Sequence, residues 1–326
     1  MNKMKVNKTI FILTRGGLGN QLFCYFAGEF LKSSFNVRVK YIYNAKSNRH
    51  DKINSKIHSF ELYSDVMESN SLKFYSTAIK LMLKAPVSSK RKMLNKFMTQ
   101  SSKVNLLFDN IYDEKYIGFQ KEIEAIESWL FNSKSKVFYL RGLFQDFVYF
   151  DNQPQKFLNL KNPSMWYQQF SEESRVAKPI ILHVRLGDYL QGSGVTLGVL
   201  SLEYYENALN ILREKYPNNE VWVFSNETAK AKILLKPIID SRFKFIYEAE
   251  SKDPAEVLLA MSLGQALIVS NSTFSLWSAK MSPELNSIVI PKPFFKDLAF
   301  YSETFLHSWS KIDAKWLTQE AVDKLL

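Results

Sequence analysis

The sequence predicts an α/β protein with a doubly wound parallel sheet, and three observations predict it. From residue 180 onward, short apolar runs alternate with longer segments whose apolar residues recur at helical spacing. The runs are apolar throughout, as strands buried on both faces are. One of them, Ile180-Ile181-Leu182-His183-Val184-Arg185-Leu186-Gly187-Asp188-Tyr189, carries ionisable side chains where the strand stops. That edge is where open α/β sheets bind ligands.

Taken in order, Ile10-Phe11-Ile12-Leu13 reads as a short buried strand and Arg15-Gly16-Gly17-Leu18-Gly19-Asn20-Gln21 as the loop after it. A helix follows, with Phe23, Phe26, Ala27, Phe30 and Leu31 as its core stripe. Glycines between a strand and a helix let backbone amides approach a phosphate, and they equally make a tight turn; their spacing departs from the dinucleotide fingerprint. Residues 37–43 alternate as a second strand, and the stretch to about 135 reads as irregular. Val137-Phe138-Tyr139-Leu140 is another strand, running into Arg141-Gly142-Leu143-Phe144-Gln145-Asp146. Polar residues at 168–178 before Pro179 mark a boundary, which gives an N-terminal domain of 1–175 and a C-terminal domain of 176–326.

In the second domain, strands at 180–184, 221–224, 243–247, 266–270 and 288–290 alternate with helices at 202–216, 229–239, 254–263 and 273–280. Asp253-Pro254-Ala255-Glu256 is a helix start, with Asp253 as N-cap and Glu256 turned back onto it in a capping box. Ser270-Asn271-Ser272-Thr273-Phe274 runs from a strand end into a helix start, where hydroxyls and amides suit an anion as well as simple capping. The chain after Phe294 has no assigned place, although Trp309 and Trp316 are expected to pack it onto the body.

At the end of the central run, Arg185 suits a phosphate ligand because a guanidinium stays charged and offers a planar fork of donors. His183 can donate to a phosphate or a base edge, and Asp188 can orient Arg185 or accept a substrate proton. A capped strand end with a structural ion pair would use the same residues.

Composition narrows the class. The 326 residues are 46% hydrophobic and 23% charged, which is globular composition. The single cysteine, Cys24, excludes a disulfide framework and favours a reducing compartment. No apolar stretch approaches a membrane span, so a cytoplasmic protein is expected, soluble or peripheral at the inner face of the membrane. The net charge is +11, and eight basic residues with no acidic one lie between Lys73 and Lys103. Apolar residues at helical spacing make 72–103 a basic amphipathic insert, which fits an anionic membrane surface and a solvated helical hairpin equally well. No nucleic-acid-binding signature accompanies the charge. The four histidines, His50, His58, His183 and His307, have no zinc spacing, and there is no Asp-x-Asp, so no metal site is expected.

Three motifs in order carry a resemblance: Gly16-Gly17-Leu18-Gly19-Asn20-Gln21-Leu22-Phe23, His183-Val184-Arg185-Leu186-Gly187-Asp188-Tyr189, and Asn271-Ser272-Thr273-Phe274-Ser275-Leu276-Trp277-Ser278-Ala279. With Leu200-Ser201-Leu202-Glu203-Tyr204-Tyr205 and Phe224-Ser225-Asn226 in support, the chain resembles, over nearly its whole length, the bacterial α-1,2-fucosyltransferases of glycosyltransferase family 11. The resemblance implies a GT-B-type fold of two Rossmann-like domains, with GDP-β-L-fucose held by the C-terminal sheet. Fucose would pass with inversion to the 2-hydroxyl of a terminal β-galactoside in an O-antigen or capsule, on an acceptor that includes lipid-linked forms, without a metal or other cofactor. Arg185 would grip the pyrophosphate and His183 would sit by the nucleotide. Asp188 would support the arginine or act on the acceptor, with Asp146 as the second candidate base. Asn271, Ser272, Thr273 and Phe274 would hold the β-phosphate, while Gly17, Gly19 and Asn20 would close the site. Glu256 would meet the guanine edge, a role that competes with the more economical capping box. Leu186 stands where the family usually has a second arginine, so donor affinity or fucose contacts would be weaker or supplied elsewhere, for instance by Arg15 or Arg141. Two rival readings remain: a transferase of another linkage or another GDP-sugar, and a basic membrane-surface protein without enzymatic activity.

Overall fold

The computed structural model describes residues 8–14, 16–43, 56–62, 66–68, 111–113, 118–154, 157–192, 194–247, 253–282, 287–297 and 308–326. Arg15 and the basic insert at 72–103 lie outside the described residues. The chain forms two compact units, Met1–His58 with Leu62–Lys156, and Ser59–Glu61 with Phe157–Leu326.

The first unit contains β1 (Thr9–Thr14), α1 (Leu18–Phe35), β2 (Arg38–Tyr43), β3 (Val66–Glu68), β4 (Ile111–Asp113), α2 (Phe119–Asn132), β5 (Val137–Arg141) and α3 (Val148–Asp151). Its strands form one parallel sheet in the order β3-β2-β1-β5-β4. Of the predicted stripe of α1, Phe23, Phe26, Ala27 and Leu31 are buried and Phe30 is half-buried, and its rings meet those of the chain after β5: Phe23 lies 5.0 Å from Phe147 and Phe26 4.7 Å from Phe150. Gly28 lets the helix lie close on β2, because a Cβ there would come within 2.4 Å of the Tyr41 hydroxyl. The helix ends at Asn36, whose φ of 50° is the left-handed cap asparagine tolerates. Residues 119–132 form a helix where irregular chain was expected. Its inward face is only Glu122, Ile126 and Leu130, too narrow a stripe to stand out among its charges.

The second unit begins with α4 (Met165–Ala177) and contains β6 (Ile180–Val184), α5 (Gly194–Leu197), α6 (Leu202–Lys215), β7 (Val221–Ser225), α7 (Thr228–Leu235), β8 (Phe243–Tyr247), α8 (Pro254–Met261), β9 (Ala266–Ile268), α9 (Thr273–Met281), β10 (Ser287–Lys292), β11 (Ser310–Asp313) and α10 (Gln319–Asp323). The sheet is parallel throughout, ordered β11-β10-β9-β6-β7-β8. From β6 the sheet runs through β7 and β8 one way and through β9, β10 and β11 the other, the order of a doubly wound nucleotide-binding sheet. Every residue of β6 and β7 is buried, which is why these runs read as strands without alternation.

Two Rossmann-like, parallel-sheet units are the parts a GT-B-type chain requires. The chain crosses to the second unit for the short piece Ser59–Glu61 and then for good at Lys156 and Phe157, where the sequence pattern places one boundary at 175. The polar stretch that marked that boundary is the exposed face of α4, which opens on Ser164 as N-cap and buries only Phe170 and Ser174. The C-terminal tail belongs to the second unit: β11 extends the sheet beside β10, Trp316 bridges to Leu200, and Trp309 is buried.

Candidate active site

In the second unit β6 is followed by β7 and β8 on one side, and the chain after β8 returns to add β9 on the other, so a crevice opens at the carboxyl ends of β6 and β9. The register pairs Leu182 with Ile268 and brings the residues after each strand side by side. His183, the last residue but one of β6, places Nδ1 2.7 Å from the Ser270 hydroxyl. Its ring is 2% exposed, and burial, assisted by the charge of Arg185, lowers its pKa to about 3, so the imidazole is neutral. The ring of Phe274, on the first turn of α9, lies 6.2 Å away.

Arg185 follows, just past the strand. Its Nη2 donates to Asp188 Oδ1 at 2.6 Å, and its guanidinium carbon lies 5.3 Å from the centre of the Tyr189 ring. Its Nε is buried without a hydrogen-bond partner among the described residues. Tyr189 in turn donates its hydroxyl to the Asn271 carbonyl at 3.1 Å, and burial pushes that phenol well above its ordinary pKa. One aromatic ring therefore joins the arginine to the turn between β9 and α9. The backbone beneath Arg185 is held separately: the Leu186 N–H donates to Asn226 Oδ1 at 3.0 Å, and Gly187 takes φ +57°. A Cβ on Gly187 would come within 2.2 Å of Asn226 Nδ2. Leu186 is fully buried in the core, so it substitutes for a second arginine with packing rather than with charge. Arg141, offered as a replacement, ends β5 in the first unit.

At the start of α9, the Ser272 hydroxyl accepts from the Phe274 N–H at 3.3 Å, and the Ser272 N–H donates to the Ser270 carbonyl at 2.7 Å. Ser272 is thus a helix cap. The amide of Thr273, at the first helical position, has no intrahelical acceptor and stands at the positive end of the helix dipole. Asn271 is 1% exposed; its amide donates to the carbonyls of Leu197 at 2.8 Å and Gly198 at 2.9 Å, while its Oδ1 has no partner among the described residues. Asn271 therefore pins the α5 loop over the turn.

Glu256 has partners beyond its own helix. Its carboxylate, 4% exposed, accepts from the Ser164 N–H at 2.6 Å and the Ser164 hydroxyl at 2.7 Å, which ties α8 to the start of α4. Asp253 caps α8, accepting from the Ala255 N–H at 2.9 Å and from the Ser59 hydroxyl.

Gly17, Gly19 and Asn20 belong to the first unit, at the carboxyl end of β1. Gly17 is the N-cap of α1, Gly19 is buried in its first turn, and the Asn20 Oδ1 accepts from Gln145 Nε2 at 2.9 Å. Gly16 takes the left-handed backbone of this loop, with φ +78°, which glycine adopts freely. The Asp146 carboxylate accepts from the Val148 N–H at 2.9 Å and so starts α3, a structural role for the second candidate base.

The crevice of the second unit thus gathers a preoriented guanidinium, a neutral buried imidazole and a helix N-terminus, a set that suits a diphosphate. Sequence reasoning missed Tyr189, Asn226 and Ser270 as supports; Tyr189 and Asn226 stood at the ends of the relevant strands and were legible in position, though not in role. Among the described residues no cluster of His, Cys, Asp or Glu is placed to hold a metal ion, and no helix is long and apolar enough to cross a membrane.

A model of the family described as Glycosyl transferase family 11 matches residues 9–313. The chain is 24% identical over 297 residues to the O-antigen biosynthesis glycosyltransferase WbnK of Escherichia coli, covering 86% of this chain and 93% of that protein. It is 25% identical over 185 residues to an alpha-1,2-colitosyltransferase of Escherichia coli, covering 55% and 61%. Similar solved structures are fucosyltransferase NodZ from Bradyrhizobium, with a TM-score of 0.46, 12% identity and coverage of 85% and 92%, and E. coli heptosyltransferase WaaC with ADP, with a TM-score of 0.43, 9% identity and coverage of 97% and 98%.

Proposed function

The chain belongs to glycosyl transferase family 11, and from that membership we propose that it moves L-fucose from GDP-β-L-fucose, with inversion, to the 2-hydroxyl of a terminal β-galactoside in a bacterial O-antigen or capsule. The observation that carries the reading is Arg185 at the strand switch point, held by Asp188 and by the Tyr189 ring beside the first turn of α9. The acceptor oxygen attacks the sugar C1 from the face opposite the diphosphate, the bond from C1 to the phosphate oxygen breaks, and GDP leaves with the bonding pair. Negative charge grows on the departing diphosphate. A guanidinium fork and a helix N-terminus fixed in advance therefore stabilise the transition state more than the ground state. The hydroxyl proton passes to Asp188 and on to solvent; Asp188 is 38% exposed and already bonded to the arginine. In this reading arginine and backbone take the phosphate charge, and no metal or other cofactor takes part.

The names of the two E. coli relatives support both the glycan class and the α-1,2 linkage. The second of them also favours an alternative sugar, because its name gives colitose in place of fucose. The acceptor includes lipid-linked glycans, and the enzyme works in the cytoplasm or at the inner membrane surface, where a basic insert at 72–103 would meet anionic lipid. Incubation with lactose and a panel of GDP-sugars, followed by NMR of the product, tests the reading. It predicts a fucose joined α to the 2-position of galactose; a different linkage, or transfer only from another GDP-sugar, would replace it with the alternative.

A further inference from the structure

We infer that Ser270 is a positioning residue that holds His183 as its Nε2–H tautomer, so that the ring presents a fixed proton at the crevice. The inference rests on the donor reading for its purpose, though not for its geometry.

Ser270 and Ser275 are fully buried and His183 nearly so, and together they form a polar chain from β6 to the first turn of α9. Ser275 sits 3.2 Å from the Ser272 carbonyl and 3.4 Å from the Ser270 carbonyl, both of which can only accept, so its hydroxyl proton points to them. The Ser270 hydroxyl then has two neighbours, His183 Nδ1 at 2.7 Å and Ser275 Oγ at 3.4 Å. With the serine donating to the ring, its proton takes the 2.7 Å contact and is satisfied. The opposite assignment would leave the Ser270 proton with only the 3.4 Å neighbour in a buried site, which is costly.

With Nδ1 accepting, a neutral imidazole carries its proton on Nε2. The ring is then a hydrogen-bond donor toward an anion, where the other tautomer would turn a lone pair to it. No proton is transferred, and the role of His183 is binding rather than acid or base chemistry. The pair is also fixed in register, since β6 and β9 are hydrogen-bonded neighbours and Ser270 leaves β9 level with the end of β6.

The test is a long-range proton–nitrogen NMR correlation on the full chain labelled with ¹⁵N-histidine, at neutral pH. The four histidines keep the spectrum readable, and His183→Gln identifies the relevant signals. The expected wild-type pattern has a protonated Nε2 and a bare Nδ1. In Ser270→Ala the pattern becomes a mixture of tautomers and the donor KM rises about tenfold, the loss of one hydrogen bond; Ser270→Thr retains both. A protonated Nδ1 in the wild type overturns the inference without any variant. So does a Ser270→Ala protein with unchanged tautomer and unchanged donor KM. Calorimetry with GDP reads the donor site separately: absence of GDP binding beside the expected tautomer would sink the donor reading and leave the Ser270 lock standing.

Discussion

Replacing Arg185 by lysine keeps the charge and removes the fork. Each charge-assisted hydrogen bond is worth about 1.5–3 kcal/mol, and a lysine in this position loses at least one. At about 1.4 kcal/mol per tenfold change in rate, kcat/KM for the donor should fall roughly ten- to 150-fold in Arg185→Lys and roughly 10²- to 10⁴-fold in Arg185→Ala. The fold should hardly notice. The ion pair to Asp188 is 29% and 38% exposed, a setting in which such pairs contribute less than about 1 kcal/mol. The alanine variant also removes a buried Nε that has no partner among the described residues, and this offsets part of the lost stacking on Tyr189. The assay is donor kinetics by GDP detection, with thermal melting run alongside. A folded Arg185→Ala protein whose kcat/KM stays within about threefold of wild type would refute the assignment of the phosphate charge to this residue.

Three further outcomes follow from the same site. Gly187→Ala should lower stability by about 1–2 kcal/mol, because its φ of +57° disfavours a side chain and its Cβ would push Asn226 off the Leu186 amide; melting and donor kinetics should worsen together, and an unchanged melting temperature would remove Gly187 from the support of Arg185. Glu256→Gln should cost about 1–3 kcal/mol of stability with the donor KM little changed, since an amide cannot accept from both Ser164 donors; a raised KM with unchanged melting would instead restore a guanine-edge role. For His183 the folded pKa of about 3 lies below the unfolded value of about 6.5, so the unfolded chain binds the extra proton. The stability associated with the neutral ring is complete above about pH 6.5 and is lost as the pH falls towards 3, at up to about 1.4 kcal/mol per unit. Denaturant midpoints measured across that window should fall less steeply in His183→Gln, and parallel curves would show that the ring is not buried neutral.

The parts of the fold that were legible in sequence are those whose local pattern and tertiary role coincide. Ile180 to Val184 is buried on both faces, and its apolar run reads as a central strand without help from elsewhere. Asp253 before Pro254 announces a helix start, and it does cap α8. Where one face decides, the reading failed. Only Phe170 and Ser174 are buried on α4, so a helix with an almost wholly polar surface passed for a linker. The tail was unreadable for a related reason, since β11 has no fully buried residue and depends on pairing with β10. In the site, the residue types that carry charge stood out, and their supports did not. Glu256 looked like the second half of a capping box because Asp253 precedes it at the right spacing; the partner it found, Ser164, lies 92 residues away. Ser270 and His183 are 87 residues apart, and nothing local to either announces the bond.

The central claim is a metal-independent transfer at Arg185, and GDP release from GDP-fucose in the presence of a chelator tests it most directly. The account predicts release that depends on lactose or another β-galactoside, survives chelation in the wild type, and nearly vanishes in a folded Arg185→Ala protein. Release that stops on chelation, or that the variant retains in full, would contradict it.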